Sequence, residues 1–157
     1  MEKKTYQFEY QKYNNPNELS EENQNLIDLS KKAAEKAYAP YSKFRVGAAI
    51  LLENGEILSG SNQENASYPV GICAERTLLS YAHANFPESK KLKLAISVLD
   101  TSKDVSPCGL CRQTLLEYES LQGQPIEIML HNMSGTVIVL PSASSLLPLH
   151  FNNDMLT

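Results

Sequence analysis

Four residues in two short segments have the types and spacing for metal-assisted chemistry. Cys73 and Glu75 stand in Gly71-Ile72-Cys73-Ala74-Glu75-Arg76, and Cys108 and Cys111 in Ser106-Pro107-Cys108-Gly109-Leu110-Cys111-Arg112-Gln113. Three cysteines cannot all pair within one chain. In a reducing compartment a clustered set binds metal or acts chemically more often than it forms disulfides. Three thiolates around one Zn²⁺ leave the fourth tetrahedral position open, which separates a catalytic centre from a structural one. One zinc ion per chain is therefore expected on Cys73, Cys108 and Cys111. By itself Glu75 would read as a favourable charge in the first turn of a helix. Coupled to Pro-Cys-x-x-Cys about 33 residues on, it reads as the general acid/base, close to the metal but poorly placed to ligate beside Cys73.

Three thiolates leave such a centre net negative. Arg76, one helical turn from Cys73, and Arg112, beside Cys111, are placed to offset that charge from behind the ligands, and Arg76 is favoured. Of the histidines, His83 lies ten residues along the helix that starts at Cys73, so about 15 Å away along its axis. His131 and His150 are read as structural or solvent-exposed; His131 at the metal would turn the centre into a closed Cys₃His site.

These residues need elements to bring them together. Ser20 is a good N-cap for a helix carrying Leu26, Leu29, Ala33 and Ala37 on one stripe, with Pro40 beyond its end. Apolar stretches between Val46 and Gly60 flank Glu53-Asn54-Gly55-Glu56, and Asn-Gly predicts a hairpin because both residues tolerate positive φ. Helical runs from about Cys73 to Asn85 and Cys108 to Leu121, the second closed by Gly123, alternate with apolar strands at Leu92–Leu99 and Ile126–His131. A last strand, Thr136–Leu140, leads to a short helix around Leu146 and Leu147. Crossover helices imply an α/β domain with a largely parallel sheet covered on both faces. Helix starts after successive strands gather at the carboxyl edge of such a sheet, which would bring the three cysteines together. Ahead of this domain, Tyr6, Phe8 and Tyr10 alternate with polar residues, which reads as a short strand, and Asn14-Asn15-Pro16-Asn17 breaks the pattern.

With 157 residues, the chain is long enough for one full core and short for two. A net charge of −4 provides no general field for a phosphate backbone, so a small neutral or zwitterionic ligand fits better than a nucleic acid polymer. No run of about eighteen apolar residues exists and the first residues lack the apolar core of a secretion signal, so no membrane association and a cytoplasmic location are expected.

The pattern Cys73-Ala74-Glu75 with Pro107-Cys108-Gly109-Leu110-Cys111 resembles the zinc deaminase signature in its three-cysteine form. More specifically, the chain is similar to the small homotetrameric cytidine deaminases. The likeness is carried by the stretches 39–49, 60–68, 71–77, 106–113 and 146–151, and spans about Leu26 to Phe151. The resemblance implies a three-layer α/β/α fold with a five-stranded mixed sheet over residues 20–157, preceded by an extension at 1–19. It implies hydrolytic deamination of cytidine and 2′-deoxycytidine in pyrimidine salvage. Asn62 and Glu64 would hold the ribose hydroxyls, Phe44 would pack on the pyrimidine, and Ala74 would contact the substrate. Phe151 would close a neighbouring subunit's site in a homotetramer. That Asn62 and Glu64, two apart on an extended segment, point the same way agrees with this. Ser61, Gln63 and Leu110 depart from common family choices, and Leu110 could alter packing near the metal. Three other readings compete. A blasticidin-type deaminase should lack the Asn62–Tyr68 segment, a non-enzymatic zinc domain needs a fourth protein ligand, and a thioredoxin-like Cys108/Cys111 pair leaves Cys73 and Glu75 unexplained.

Overall fold

In the computed structural model, which describes residues 1–156, nine regular elements build one layered unit. They are β1 (Gln11–Tyr13), α1 (Glu21–Glu35), β2 (Val46–Leu52), β3 (Ile57–Ser61), α2 (Ala74–Asn85), β4 (Lys91–Val98), α3 (Gly109–Gln122), β5 (Glu127–His131) and β6 (Val137–Leu140). The sheet has six strands in the order β1-β6-β5-β4-β2-β3.

The sheet is mixed, and the largely parallel arrangement expected from the crossover helices does not hold. Only β4 and β5 pair in parallel; every other neighbouring pair is antiparallel. The reason lies in the hairpin. β3 and β4 do run the same way on either side of α2, but β2 sits between them, antiparallel to both. The hairpin turn itself is confirmed with different dihedrals. Gly55 alone takes positive φ, at 86°, while the Asn54 side chain accepts a hydrogen bond from Glu56 N–H at 3.0 Å. The result is a tight turn followed by a left-handed glycine, rather than two left-handed residues in succession.

The sixth strand is β1. The alternating segment expected to form a strand from Thr5 does so only at Gln11–Tyr13, where it pairs with β6. Upstream, the Tyr6, Phe8 and Tyr10 rings follow one another with centroids 6.4 and 6.2 Å apart, at the edge of the sheet.

Side-chain alternation divides the core into two layers. Ile50, Leu52, Leu94, Ile96, Ile128 and Leu130 point to the face that α2 and α3 cover. Ala49, Ala95 and Met129 point to the opposite face, where Leu26 and Ile27 of α1 close the second layer. On β2 and β4 the residues of this face, Gly47, Ala49, Ala95 and Ser97, are small, and at Gly47 the backbone of α1 comes very close. A Cβ on Gly47 would stand 2.1 Å from the Ser30 carbonyl oxygen and 2.3 Å from the Ala34 nitrogen. In the same place Ser30 and Ser97 share a buried hydroxyl–hydroxyl hydrogen bond of 2.6 Å. Ser20 caps α1 as expected, its hydroxyl accepting from Asn23 N–H at 3.3 Å.

Candidate metal centre and active site

β3 and β4 end at the same edge of the sheet, so the helices that follow them begin side by side. Cys73 is the N-cap of α2 and Cys108 the N-cap of α3, and neither thiol is used as a helix cap. Cys111 follows in the first turn of α3 and is buried, whereas Cys108 is exposed. The three sulfurs all lie within 4.8 Å of one another, Cys73 to Cys108 at 4.0 Å and Cys108 to Cys111 at 3.5 Å. Tetrahedral zinc with Zn–S bonds of about 2.3 Å separates its sulfur ligands by about 3.8 Å, so the spacing fits.

The electrostatics fit as well. A hydrogen bond from the Cys111 thiol draws the Cys73 thiol down to about 5 against the cost of its burial, and Arg76 and Cys108 assist. That same bond, with burial and the nearby Glu75 carboxyl, pushes the Cys111 thiol up. A thiolate at Cys73 thus disfavours a second at Cys111 unless a cation joins them, and a soft divalent ion suits an all-sulfur donor set.

Glu75 lies one helical step inside α2, only 5% exposed, against Cys73 and Cys111. Burial raises its carboxyl to about 6, with the Cys73 charge adding to the shift. Arg76 is the charge behind the sulfurs. Burial works against its guanidinium, but Cys73 and Cys111 outweigh that and hold it above its ordinary value. Its Nη2 donates to the Gly71 carbonyl at 3.3 Å, and its buried Nε has no hydrogen-bond partner among the described residues. Arg112 faces away from the thiols. It donates to the Pro107 carbonyl at 2.8 Å, the Leu146 carbonyl at 3.0 Å and the Ser106 hydroxyl at 2.9 Å.

The other expected site residues form the neighbouring wall. Asn62 and Glu64 do point the same way, both onto the 41–46 loop. Asn62 accepts from Val46 N–H at 2.8 Å and donates to the Phe44 carbonyl at 2.9 Å. Glu64 accepts from Tyr41 N–H at 2.9 Å, Ser42 N–H at 3.2 Å and the Ser42 hydroxyl, and that hydroxyl is the main reason its carboxyl lies below the usual range. Glu64 also lines a cavity of about 300 Å³ with Tyr41, Ser42, Asn65, Tyr68 and Gly71. This recess opens beside the metal site rather than over it, since the cysteines are not among its lining residues. Phe44 is half-buried, Ala74 fully buried, and Phe151 is 55% exposed, its carbonyl accepting from Gln113 Nε2 of α3 at 3.0 Å.

None of the histidines joins the cysteines among the described residues. His131 projects onto the α1 face beside Lys31 and Asp28, His83 packs on the Tyr118 ring, and His150 sits 2.7 Å from the Leu147 carbonyl. Leu110, between the two cysteines of α3, is 66% exposed. Two supporting roles escaped the sequence reading, one of them that of Arg112, which was considered only as a charge behind the ligands. Arg112 ties the Cys108 loop to the C-terminal turn, and Glu119 on α3 accepts from Ile126, Ala143 and Ser144 N–H groups and from the Ser142 hydroxyl. The arginine next to Cys111 was the available signal for the first; a lone helical glutamate offered none for the second.

Comparison with known proteins agrees with this geometry. Residues 20–122 match the model of the cytidine and deoxycytidylate deaminase zinc-binding region. A cytidine deaminase of Sporosarcina psychrophila is 45% identical over 132 residues, covering 84% of this chain and 93% of that protein. One of Halalkalibacterium halodurans is 42% identical over 126 residues, covering 80% and 90%. The crystal structure of cytidine deaminase from Burkholderia pseudomallei superposes with a TM-score of 0.73 at 41% identity, covering 85% of this chain and all of that one. With its thiols at zinc spacing, a buried carboxyl beside them and this likeness over most of its length, the chain belongs to the cytidine and deoxycytidylate deaminase family.

Proposed function

We propose that this protein is a zinc-dependent cytidine deaminase, hydrolysing cytidine and 2′-deoxycytidine to uridine and 2′-deoxyuridine with release of ammonia, in pyrimidine salvage. The observation that carries the reading is the convergence of three unpaired thiols with a buried carboxyl at the joined ends of α2 and α3. Cys73, Cys108 and Cys111 would hold Zn²⁺. When bound there, zinc acidifies water and makes it a nucleophile near neutral pH.

The chain's own residues do the rest. Glu75 accepts a proton from the attacking water and passes it to ring N3, so that C4 becomes more electrophilic as the C–O bond forms. Its carboxyl then carries the second proton to the 4-amino nitrogen, the C–N bond breaks, and ammonia leaves with the carbonyl of uracil in place. A carboxyl raised by burial suits a group that must both take and give a proton. Arg76 offsets the charge of the thiolates from behind. Ala74, between Cys73 and Glu75, would pack against the base at the turn that carries both, and Phe44 would flank the pyrimidine.

Asn62 and Glu64 are the proposed ribose ligands. Each keeps unused acceptor capacity after its bonds to the 41–46 loop, and Glu64 already faces the 300 Å³ recess. Phe151, largely exposed in the single chain, would close the site of a neighbouring copy in a homotetramer. Among the described residues no helix is long and apolar enough to cross a membrane, and a cytoplasmic location is inferred.

The test is the loss of cytosine absorbance on incubation with cytidine, with and without a chelator. Chelator-sensitive turnover is expected. Glu75→Gln should bind one zinc per chain and lose about three orders of magnitude in kcat, within the range for a general acid/base. A protein with one zinc per chain and no turnover, or a Glu75→Gln variant near the wild-type rate, would overturn the reading.

A further inference from the structure

Cys108 hangs on a loop with no regular structure. Residues 100–107 connect β4 to α3 without a helix or strand, and Cys108 is the exposed member of the thiol set. From inside the molecule this loop is fixed by Arg112, which grips Ser106 and Pro107 on one side and Leu146 on the other. From outside it is fixed by residues that precede the family match, which begins at residue 20.

Three contacts make that outer support. Lys12 Nζ reaches Asp104 Oδ2 at 2.6 Å, while Asp104 Oδ1 accepts from Asn132 Nδ2 at 3.2 Å and from the Thr136 hydroxyl at 3.4 Å. Asp104 is therefore a node that joins the N-terminal segment, the metal-ligand loop and the β5–β6 turn. Tyr10 borders a small cavity of about 150 Å³ together with Val105, Ser106 and Leu146, the same stretches that Arg112 holds from within. Tyr6 donates its hydroxyl to the Ser144 carbonyl at 3.1 Å, and the Ser144 N–H is in turn held by Glu119 of α3 at 3.1 Å. The β1–β6 ladder fixes the register of Lys12, which stands opposite Ile138, and Tyr10 lies directly ahead of it.

We propose that the segment from Tyr6 to Tyr13 is a brace for the metal site: through Lys12–Asp104, Tyr10 and Tyr6–Ser144 it holds the 100–107 loop and the 142–146 turn against α3, and so keeps Cys108 in ligand position. This rests on the assignment of zinc to Cys73, Cys108 and Cys111. Lys12 and Tyr6 are positioning residues, since neither touches the thiols. An exposed ion pair alone contributes little to stability, but here its loss removes one outer tether from a loop with no ladder of its own, leaving it to Arg112, Asn132, Thr136 and the Arg45–Asp100 pair, and a thiolate on a looser loop leaves its metal faster.

The test is the rate at which zinc-loaded protein gives up its metal to a large excess of a chromogenic pyridylazo chelator, well below the temperature of unfolding. Lys12→Ala should release zinc about threefold faster, the scale of one exposed pair. Removal of residues 1–10 should accelerate release about tenfold, the lower end of what losing support behind a ligand costs. Lys12→Arg should restore the wild-type rate. Release at the wild-type rate from both Lys12→Ala and the shortened chain overturns the brace. So does a change in release that only follows a fall in the unfolding temperature, because a purely structural contact would act that way. Should the shortened chain fail to fold, Lys12→Ala and Tyr6→Phe, both changes at exposed side chains, still decide the matter. Cytidine turnover by the wild-type sample is read separately: zinc release that follows the expected order without turnover supports the brace while removing the deaminase reading.

Discussion

Of the three thiols, Cys111 is sealed from solvent and Cys108 lies open to it, and Glu75 is buried between Cys73 and Cys111. The site thus has a closed side at Cys111 and Glu75 and an open side at Cys108. Another buried ionisable residue, His131, lies in the other layer of the molecule. Burial pulls its imidazole down to about 4 from 6.5, with Lys31 adding to the effect, and its buried Nδ1 has no hydrogen-bond partner among the described residues. The sign for stability follows from this. Below about 6.5 the unfolded chain takes up the imidazole proton, whereas the folded chain takes it up only below about 4. Between those values unfolding binds a proton, so stability falls as pH falls through the window and levels off below it. The loss attributable to this group is about 3 kcal/mol. Denaturant titrations at pH 7, 5.5 and 4 should show a shallower decline for His131→Gln than for the wild type. Equal slopes would mean that the fold leaves the proton affinity of His131 where it is in the unfolded chain.

At the scale of elements, the decisive contact is α1 on β2. Small residues at Gly47, Ala49, Ala95 and Ser97 let the helix backbone settle onto the sheet, and this frees the opposite face for the larger side chains beneath α2 and α3. Gly47→Ala should therefore destabilise the protein by about 3 kcal/mol, at the upper end for overpacking, because the new methyl meets backbone atoms that no rotamer change can move. Chemical denaturation measures it. A loss below 1 kcal/mol would show that α1 can lift from the sheet at small cost. The hairpin acts at this scale too. By placing β2 between β3 and β4 it separates two parallel strands, yet it leaves their carboxyl ends at one edge, where α2 and α3 start side by side.

At the scale of the whole molecule, the aromatic residues that line the recess at Glu64 are exposed. Tyr41 and Tyr68 pair at 5.7 Å on the surface, and Phe151 lies half in solvent. An assembly would cover such groups. Native mass measurement should give four chains, and Phe151→Ala should raise KM for cytidine several-fold while the zinc content stays at one per chain. A monomer with full activity would mean that each chain completes its own site.

The sequence by itself led to the three cysteines that the fold clusters, to Glu75 beside them, to the helices that begin there and to the family. Those depend on local chemistry and on spacing along the chain, in which Cys73, Glu75 and the Pro107-Cys108-x-x-Cys111 turn are fully written. It also led to Ser20 as a cap and to the Asn54-Gly55 hairpin, both products of near neighbours. Strand order, the direction of pairing and the sixth strand were decided only by the tertiary structure. Whether Gln11–Tyr13 joins β6, or β2 comes between β3 and β4, depends on which edges lie free once the chain has packed, and no window of sequence contains that competition. For the same reason Arg112 and Glu119 were legible only in part: their partners lie up to 34 residues away, and it is the folded loops, not the residues themselves, that give them work.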